Sequence, residues 1–346
     1  MITDKDLNEI KERIEKAKEP LYIFDDDQDG LCAFLLFWRK WKRGKGIPVK
    51  GQLREDIIPR LHRERKDLVV ILDKPTITQE IVDAINVPII HLDHHQPLDI
   101  RAPQYHYFNP RINDDADWRP TSYWAYQITK ENLWIAMVGT LGDWYIPEFT
   151  TAFREQYPGL LPETLTNPGQ ALFDAEFGVL YRTILFTLKG KTSETKQCIK
   201  ILTRIESPWE ILRQETMRGK FIWQHFLEIE HSYQSIRRMA LKAKSKDNLL
   251  LFFYPSTQDA FTSIIANEIV YRNPTKTVII GRKKSDGVTM SIRSSQIKLP
   301  GLITEALDGL HGFGGGHDYA CGAGVALDEF DTFLDRFTTL IANAKK

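Results

Sequence analysis

The residues best equipped for chemistry crowd into one short segment, Phe24-Asp-Asp-Asp-Gln-Asp-Gly-Leu31. There Asp25, Asp26, Asp27 and Asp29 set four carboxylates within five positions. Like charges this close repel one another unless a cation neutralises them. Two further apolar runs end in acids: Val69-Val-Ile-Leu-Asp73, and Ile89-Ile-His-Leu-Asp93, which His94 and His95 follow. A fourth acid, Asp143, closes Val138-Gly-Thr-Leu-Gly-Asp143, where glycines let backbone approach closely. Carboxylates joined by one or two imidazoles make a hard, mixed oxygen and nitrogen donor set suited to Mn²⁺ or Mg²⁺. Structural zinc would call for thiolates. Cys32, Cys198 and Cys321 are not spaced to supply them.

A second constellation lies near the carboxyl end. In Gly312-Phe-Gly-Gly-Gly-His317, the glycines Gly314, Gly315 and Gly316 read as a loop whose exposed N–H groups form a nest for an anion. His317 can donate to a phosphate oxygen. Upstream, Ser291-Ile-Arg293-Ser294-Ser295 offers a guanidinium able to grip phosphate with two bonds, with hydroxyls beside it. Tyr105, Tyr107 and Trp144 are candidate platforms for base stacking. Two basic patches, 39–50 and 60–66, suit either nucleic-acid contact or a solvated face.

The elements that must hold these groups follow from hydrophobic pattern. Leu21–Phe24, Leu68–Leu72 and Pro88–Leu92 read as buried strands, and Leu31–Trp41 and Thr78–Ile85 as helices, Thr78 being an N-cap. Strand and helix in alternation imply right-handed crossovers and a mostly parallel sheet. Ligands in such sheets sit at the carboxyl ends of strands, where the acids fall. From 193 to 246 the composition turns helical and charged, with Ser207 capping a helix that Pro208 opens. A second α/β unit then begins, with strands Leu249–Tyr254, Thr277–Ile280 and Val288–Arg293 and helices Asp259–Tyr271 and Phe330–Ala344. The expected organisation is α/β throughout: a catalytic domain at 1–190, a helical connector at 191–246, and a smaller domain at 247–346.

Composition narrows the function classes. The 46 Lys and Arg balance 46 Asp and Glu, which weighs against a protein that coats long duplex DNA through many phosphate contacts. The apolar stretches are far shorter than a membrane span, and the charged start has no signal-peptide core. With an odd number of cysteines, a reduced cytoplasm is the expected location.

These motifs resemble the DHH phosphoesterase superfamily, whose signature triplet stands here as Asp93-His94-His95. Asp25-x-Asp27-x-Asp29-Gly30 is similar to the first motif of RecJ-type nucleases, Asp73 to the second, and Gly142-Asp143 to the fourth. Asn109-Pro-Arg111, followed by Arg119-Pro-Thr-Ser122, is similar to the segment that follows the triplet in RecJ-like proteins. Gly314-Gly-Gly-His317 resembles the signature of the DHH-associated domain. Lys74-Pro75 departs from the pattern, because relatives carry a small residue or glycine there. The resemblance implies metal ligation by Asp25, Asp27, Asp29, Asp73, His94 and Asp143, with Asp73 bridging two Mn²⁺ (or Mg²⁺) ions. It implies that Asp93 orients His94 and that His95 meets the phosphate, these joining Asp73 and His94 as catalytic groups. Asp26 is the bystander. Substrate would be held by Arg293, Ser294, Gly314, Gly315, Gly316 and His317, with Asn109 and Arg111. The implied activity is exonucleolytic hydrolysis of single-stranded DNA or RNA, in replication or repair and with proteins of those processes as partners. A nanoRNase or cyclic-dinucleotide phosphodiesterase and a non-catalytic replication scaffold are the alternatives. The sequence D-Q-D-G-L at 27–31 favours the RecJ-like branch.

Overall fold

The computed structural model describes residues 1–243, 245–246, 248–256 and 259–344. The chain divides into two compact units, Met1–Phe226 and Leu227–Lys346. Among the described residues, no helix is long and apolar enough to cross a membrane.

The first unit is built on five parallel strands: β1 (Pro20–Asp25), β2 (Lys45–Val49), β3 (Leu68–Leu72), β4 (Ile89–Leu92) and β5 (Tyr105–Phe108). Their spatial order is β2-β1-β3-β4-β5. Leu68, Val69, Val70, Ile71 and Leu72 of β3 are all buried, as expected of a central parallel strand covered on both faces. The order reverses between β1 and β3. In open α/β sheets, such a reversal parts the loops at the strands' carboxyl ends and leaves a crevice there. Asp25 and Asp73 end the two strands that flank it.

β2 and β5 escape the hydrophobic pattern for a local reason. β2 carries glycine and proline (Lys-Gly-Ile-Pro-Val), and β5 reads Tyr-His-Tyr-Phe, so neither is a clean apolar run. Both are edge strands, where such residues are tolerated. The helix after β1 spans Gln28–Trp41, starting three residues before the expected Leu31 because Asp27 caps it. Thr78 stands at the N-cap of Gln79–Asp83 but makes no capping bond; its hydroxyl goes to Glu55 instead. Ser207 does cap Pro208–Leu212. The expected connector is not a separate body. Its helices Thr192–Leu202 and Pro208–Leu212 lie within the first unit, and the unit boundary falls inside the long helix Met217–Leu241.

The second unit holds six strands: β6 (Ser245–Lys246), β7 (Leu249–Pro255), β8 (Thr277–Lys283), β9 (Gly287–Ser294), β10 (Gly312–His317) and β11 (Ala320–Ala326), in the order β10-β11-β9-β8-β7-β6. Among the described residues, only the β7–β8 pairing of this sheet is parallel. One helix starts at Thr262 rather than Asp259. The closing helix Phe330–Ala344 matches its expected span and buries Phe330, Phe333, Phe337 and Ile341 at helical spacing.

The glycine run is the main correction to the sequence reading, because it is a strand rather than a loop. Gly312–His317 pairs along its length with β11, and the pairing supplies the order that glycine itself disfavours. Three of its four glycines leave no room for a Cβ, Gly312 because the Gly324 carbonyl stands there. A Cβ on Gly314 would strike Ile303, and Gly316 has φ +142° with the Ala320 carbonyl where a Cβ would stand.

Candidate metal centre

The acids are positioned by strand ends and helix starts. Asp25 is the last residue of β1. Asp27 caps the next helix, its side chain accepting the Gly30 N–H at 3.0 Å. Asp29, fully buried, accepts the Thr121 N–H at 2.7 Å, the Ser122 N–H at 2.9 Å and the Ser122 hydroxyl. Those donors open the helix Thr121–Thr129, whose own N-cap, Pro120, offers no capping side chain. Asp29 therefore serves as the cap from outside, where the helix dipole favours a negative charge. Gly139 allows the neighbouring helix Leu133–Gly142 to lie against Ser122, because a Cβ there would enter the serine side chain.

Asp73 follows β3 with φ +59°, a left-handed backbone uncommon outside glycine and of the kind stored at functional sites. It is buried, and Oδ1 accepts the Thr121 hydroxyl at 3.3 Å. His94 Nε2 lies 3.4 Å from Asp73 Oδ1 and 3.4 Å from Asp143 Oδ2. Among the sets of ligand atoms gathered within 4.8 Å are Asp25 with Asp27 and Asp73, and Asp29 with His94 and Asp143; a third joins Asp73 with Asp93 and His95. Asp26 belongs to none of these.

The electrostatics show what this cluster lacks. Burial, then the charges of Asp25 and Asp29, push the Asp27 carboxyl up to about 7. Burial pushes Asp29 up to about 6 against the pull of its Ser122 and Thr121 bonds. Asp73 is raised well above the usual carboxylate range by burial and by Asp29 and Asp27. Acids that hold protons near neutrality need a cation to ionise together, and oxygen donors with one imidazole fit Mn²⁺ or Mg²⁺.

Within the triplet, Asp93 engages His95: its Oδ1 lies 2.8 Å from His95 Nδ1, and its Oδ2 accepts the His95 N–H at 3.1 Å. Burial works against Asp93 ionising, yet its bond with His95 holds it below the usual range; burial likewise opposes protonation of His95, but Asp93 raises it. Asn109 is buried, donating to Asp93, the His95 carbonyl and the Tyr107 hydroxyl while its own oxygen caps Arg111. Arg111 is buried too, bonded to Asp115 at 2.5 Å and stacked 3.9 Å over Trp118. Tyr105 is core, its hydroxyl 2.7 Å from buried His91, and Tyr107 donates to Asp93 at 3.4 Å. Trp144 is half-buried beside Phe173.

Sequence reasoning missed the roles of several groups. Thr121 and Ser122, quoted only as part of Arg119-Pro-Thr-Ser122, anchor Asp29, a contact that spacing does not announce. Lys74, read only as a departure, is fully buried with its ammonium 2.6 Å from Asp25. His91 supports it from behind, Nε2 lying 3.0 Å from the Lys74 carbonyl.

In the second unit, the Arg293 guanidinium is held by Asn267 at 2.5 Å and by the carbonyls of Ile292 and Cys321 at 2.9 and 3.0 Å. Ser294 is buried, its hydroxyl accepting the N–H groups of Gln296 and Ile297. It caps a turn and does not face solvent. Gly315 stands on exposed β10 with nothing within 4 Å of a Cβ.

Residues 247–343 match the family model of the DHHA1 domain. The whole chain aligns with RecJ of Thermus thermophilus in complex with Mn²⁺, at TM-score 0.70 and 16% identity over 99% of this chain. Its carboxyl-terminal segment thus matches the DHHA1 family, and the fold of the whole chain is that of RecJ. The chain spans 56% of the Thermus RecJ chain. A manganese-bound exonuclease RecJ aligns at TM-score 0.57 and 18% identity, covering 99% of this chain and 95% of that one. A DHH-domain member of the s1p family of ribosomal proteins aligns at 0.67 and 16%, covering 97% and 89%. At these identities the likeness is one of fold, and the fold is RecJ-like. Sequence comparison with curated proteins finds no match.

Proposed function

We propose that the chain is a divalent-metal-dependent phosphodiesterase that trims single-stranded DNA or RNA from an end, as a RecJ-like exonuclease. The observation that carries this reading is the pair of ligand sets, Asp25/Asp27/Asp73 and Asp29/His94/Asp143, meeting at the switch point of the sheet through the Asp73–His94 contact. Two bound ions would supply an activated water and offset charge on the scissile phosphate. The protein's part is preorganisation. The Thr121–Thr129 helix start fixes Asp29, the left-handed turn fixes Asp73, and Asp93 holds the His95 ring by Nδ1 for contact with a phosphate oxygen. The manganese in both RecJ structures supports that ion.

One observation favours a second reading. Lys74 already supplies a positive charge to Asp25, as would suit a relative that had become a non-catalytic scaffold. End-labelled single strands of DNA and RNA, incubated with Mn²⁺, separate the two. Shortened products that a chelator abolishes support the nuclease. No product from either polymer, nor from dinucleotides, would leave the scaffold. Faster cleavage of dinucleotides than of longer strands would move the protein to the nanoRNase branch.

A further inference from the structure

A groove of about 800 Å³ runs along the outer edge of the first unit's sheet, away from the acids. Phe34, Trp38, Gly46, Pro48 and Ile199 contribute to its lining, as does β2, which has a sheet partner on one side only. Lys45 of the 39–50 patch and Arg60 and Arg63 of the 60–66 patch meet here, joined by lysines from outside both. Arg60 and Arg63 come from the helix Ile58–Arg63, and Lys196 and Lys200 from Thr192–Leu202. Each pair is spaced to put like charges on one helix face, which is destabilising without a counter-ion. Among the described residues, none of these four makes an ion pair. The only acid lining the groove, Glu64, is engaged by Lys45 at 2.5 Å. Gly46 keeps the lining low, because a Cβ there would enter the Phe34 ring.

We infer that this groove is a secondary binding track for the phosphodiester backbone of a nucleic-acid strand. The four cations match a row of phosphates, and the sparse acids impose no penalty on a polyanion. Half-buried Trp38 is pinned through its indole N–H to the Gly44 carbonyl, so it lends a fixed apolar surface rather than a base-specific contact. β2 leads from the groove at Lys45 to Val49, which pairs with Asp25 of the metal centre. A strand lying on this edge is thereby directed toward the acids.

This inference rests on the proposed nuclease activity, and the test separates the two. Fluorescence anisotropy of a labelled oligonucleotide is measured against salt in a chelator, for the wild type and two variants, Arg60→Gln/Arg63→Gln and Lys196→Gln/Lys200→Gln. Each pair sits on a different exposed helix face, so a fold defect in one leaves the other informative. The slope of log K against log salt should fall by roughly 1.4 for each pair removed, at about 0.7 per single-strand phosphate contact. Binding should weaken alike for all base sequences. Hydrolysis of bis-p-nitrophenyl phosphate with Mn²⁺ should stay at wild-type level. Unchanged slopes in both variants, with wild-type digestion of oligonucleotides intact, overturn the groove and leave the nuclease standing. Tighter binding of poly-glutamate than of an oligonucleotide of equal charge overturns it in favour of a protein ligand. A wild type that neither binds nor cuts nucleic acid removes both proposals.

Discussion

Lys74 Nζ lies 2.6 Å from Asp25 Oδ1, and the lysine side chain is wholly buried while the aspartate side chain keeps 25% of its exposure. Its other two donors reach the carbonyls of Val49, at 3.1 Å, and Gly51. All three ammonium protons are therefore used. The residue after the central acid of the site thus crosses β1 to the end of β2 and neutralises the first acid of the cluster. A cation bound by Asp25, Asp27 and Asp73 must share Asp25 with this ammonium.

Replacing the ammonium should make the protein depend on metal. Lys74→Met leaves Asp25 unpaired, and breaking a buried pair by removing one partner costs roughly 3–5 kcal/mol, with the half-open Asp25 placing this case at the low end. The metal-free melting temperature should drop, and saturating Mn²⁺ should restore most of it. Calorimetric titration should show tighter Mn²⁺ binding than in the wild type. An equal loss of melting temperature with and without Mn²⁺ would mean that Lys74 is a packing residue alone.

Two neighbouring acids should answer differently to the same change. In Asp27→Asn, the remaining oxygen still caps the helix through Gly30 and one crowded charge disappears. Its metal-free melting temperature should rise. In Asp29→Asn, one oxygen must replace two that together accept three bonds, so that variant should melt lower. Both should lose Mn²⁺-dependent hydrolysis. Wild-type turnover in either would sink the ligand assignment.

The metal-free protein should lose stability as pH rises toward neutrality. Folded Asp27 keeps its proton up to about pH 7, whereas an unfolded aspartate releases it near 3.9. Between those values the folded chain binds the extra proton, so the free energy of unfolding falls with increasing pH. Melting temperatures in a chelator should decline from pH 5 to 7.5, and less steeply in Asp27→Asn. With saturating Mn²⁺ the trend should reverse, because the ion needs ionised carboxylates. Identical profiles for wild type and Asp27→Asn would show that Asp27 carries no such burden.

Three of the four glycines of β10 should separate structure from binding. Gly316→Ala must place a side chain at φ +142° against a carbonyl, and Gly314→Ala must displace Ile303, so both should melt lower. Gly315→Ala meets open space and should melt like the wild type. If this strand serves a nucleic-acid chain, Gly315→Ala should still lower kcat/KM on an oligonucleotide, roughly tenfold, with little change on a small reporter. Equal kinetics on both substrates would assign the glycine run to the fold.

The sequence by itself determined the parallel core and the placement of its acids. Three apolar runs ending in Asp25, Asp73 and Asp93 state both the strands and the end of the sheet at which charge must gather, since burial and periodicity are local properties. It also carried the closing helix, whose phenylalanines recur at helical spacing. Only the tertiary structure decided the edges and the second layer of contacts. β2 and β10 are strands because a neighbouring strand pairs with them, against the preferences of their own glycines and proline. Asp29 finds its partners 92 and 93 residues away, at a helix start whose motif, Arg119-Pro-Thr-Ser122, does not say which acid it will meet. Asp93 turns to His95 because its ring nitrogen and N–H are both in reach, and spacing alone does not tell it from His94. Lys74 reads only as a departure from the motif until the fold brings β1 and β2 beside it. Hydrogen bonds between distant segments depend on where the chain returns, and that is set by packing.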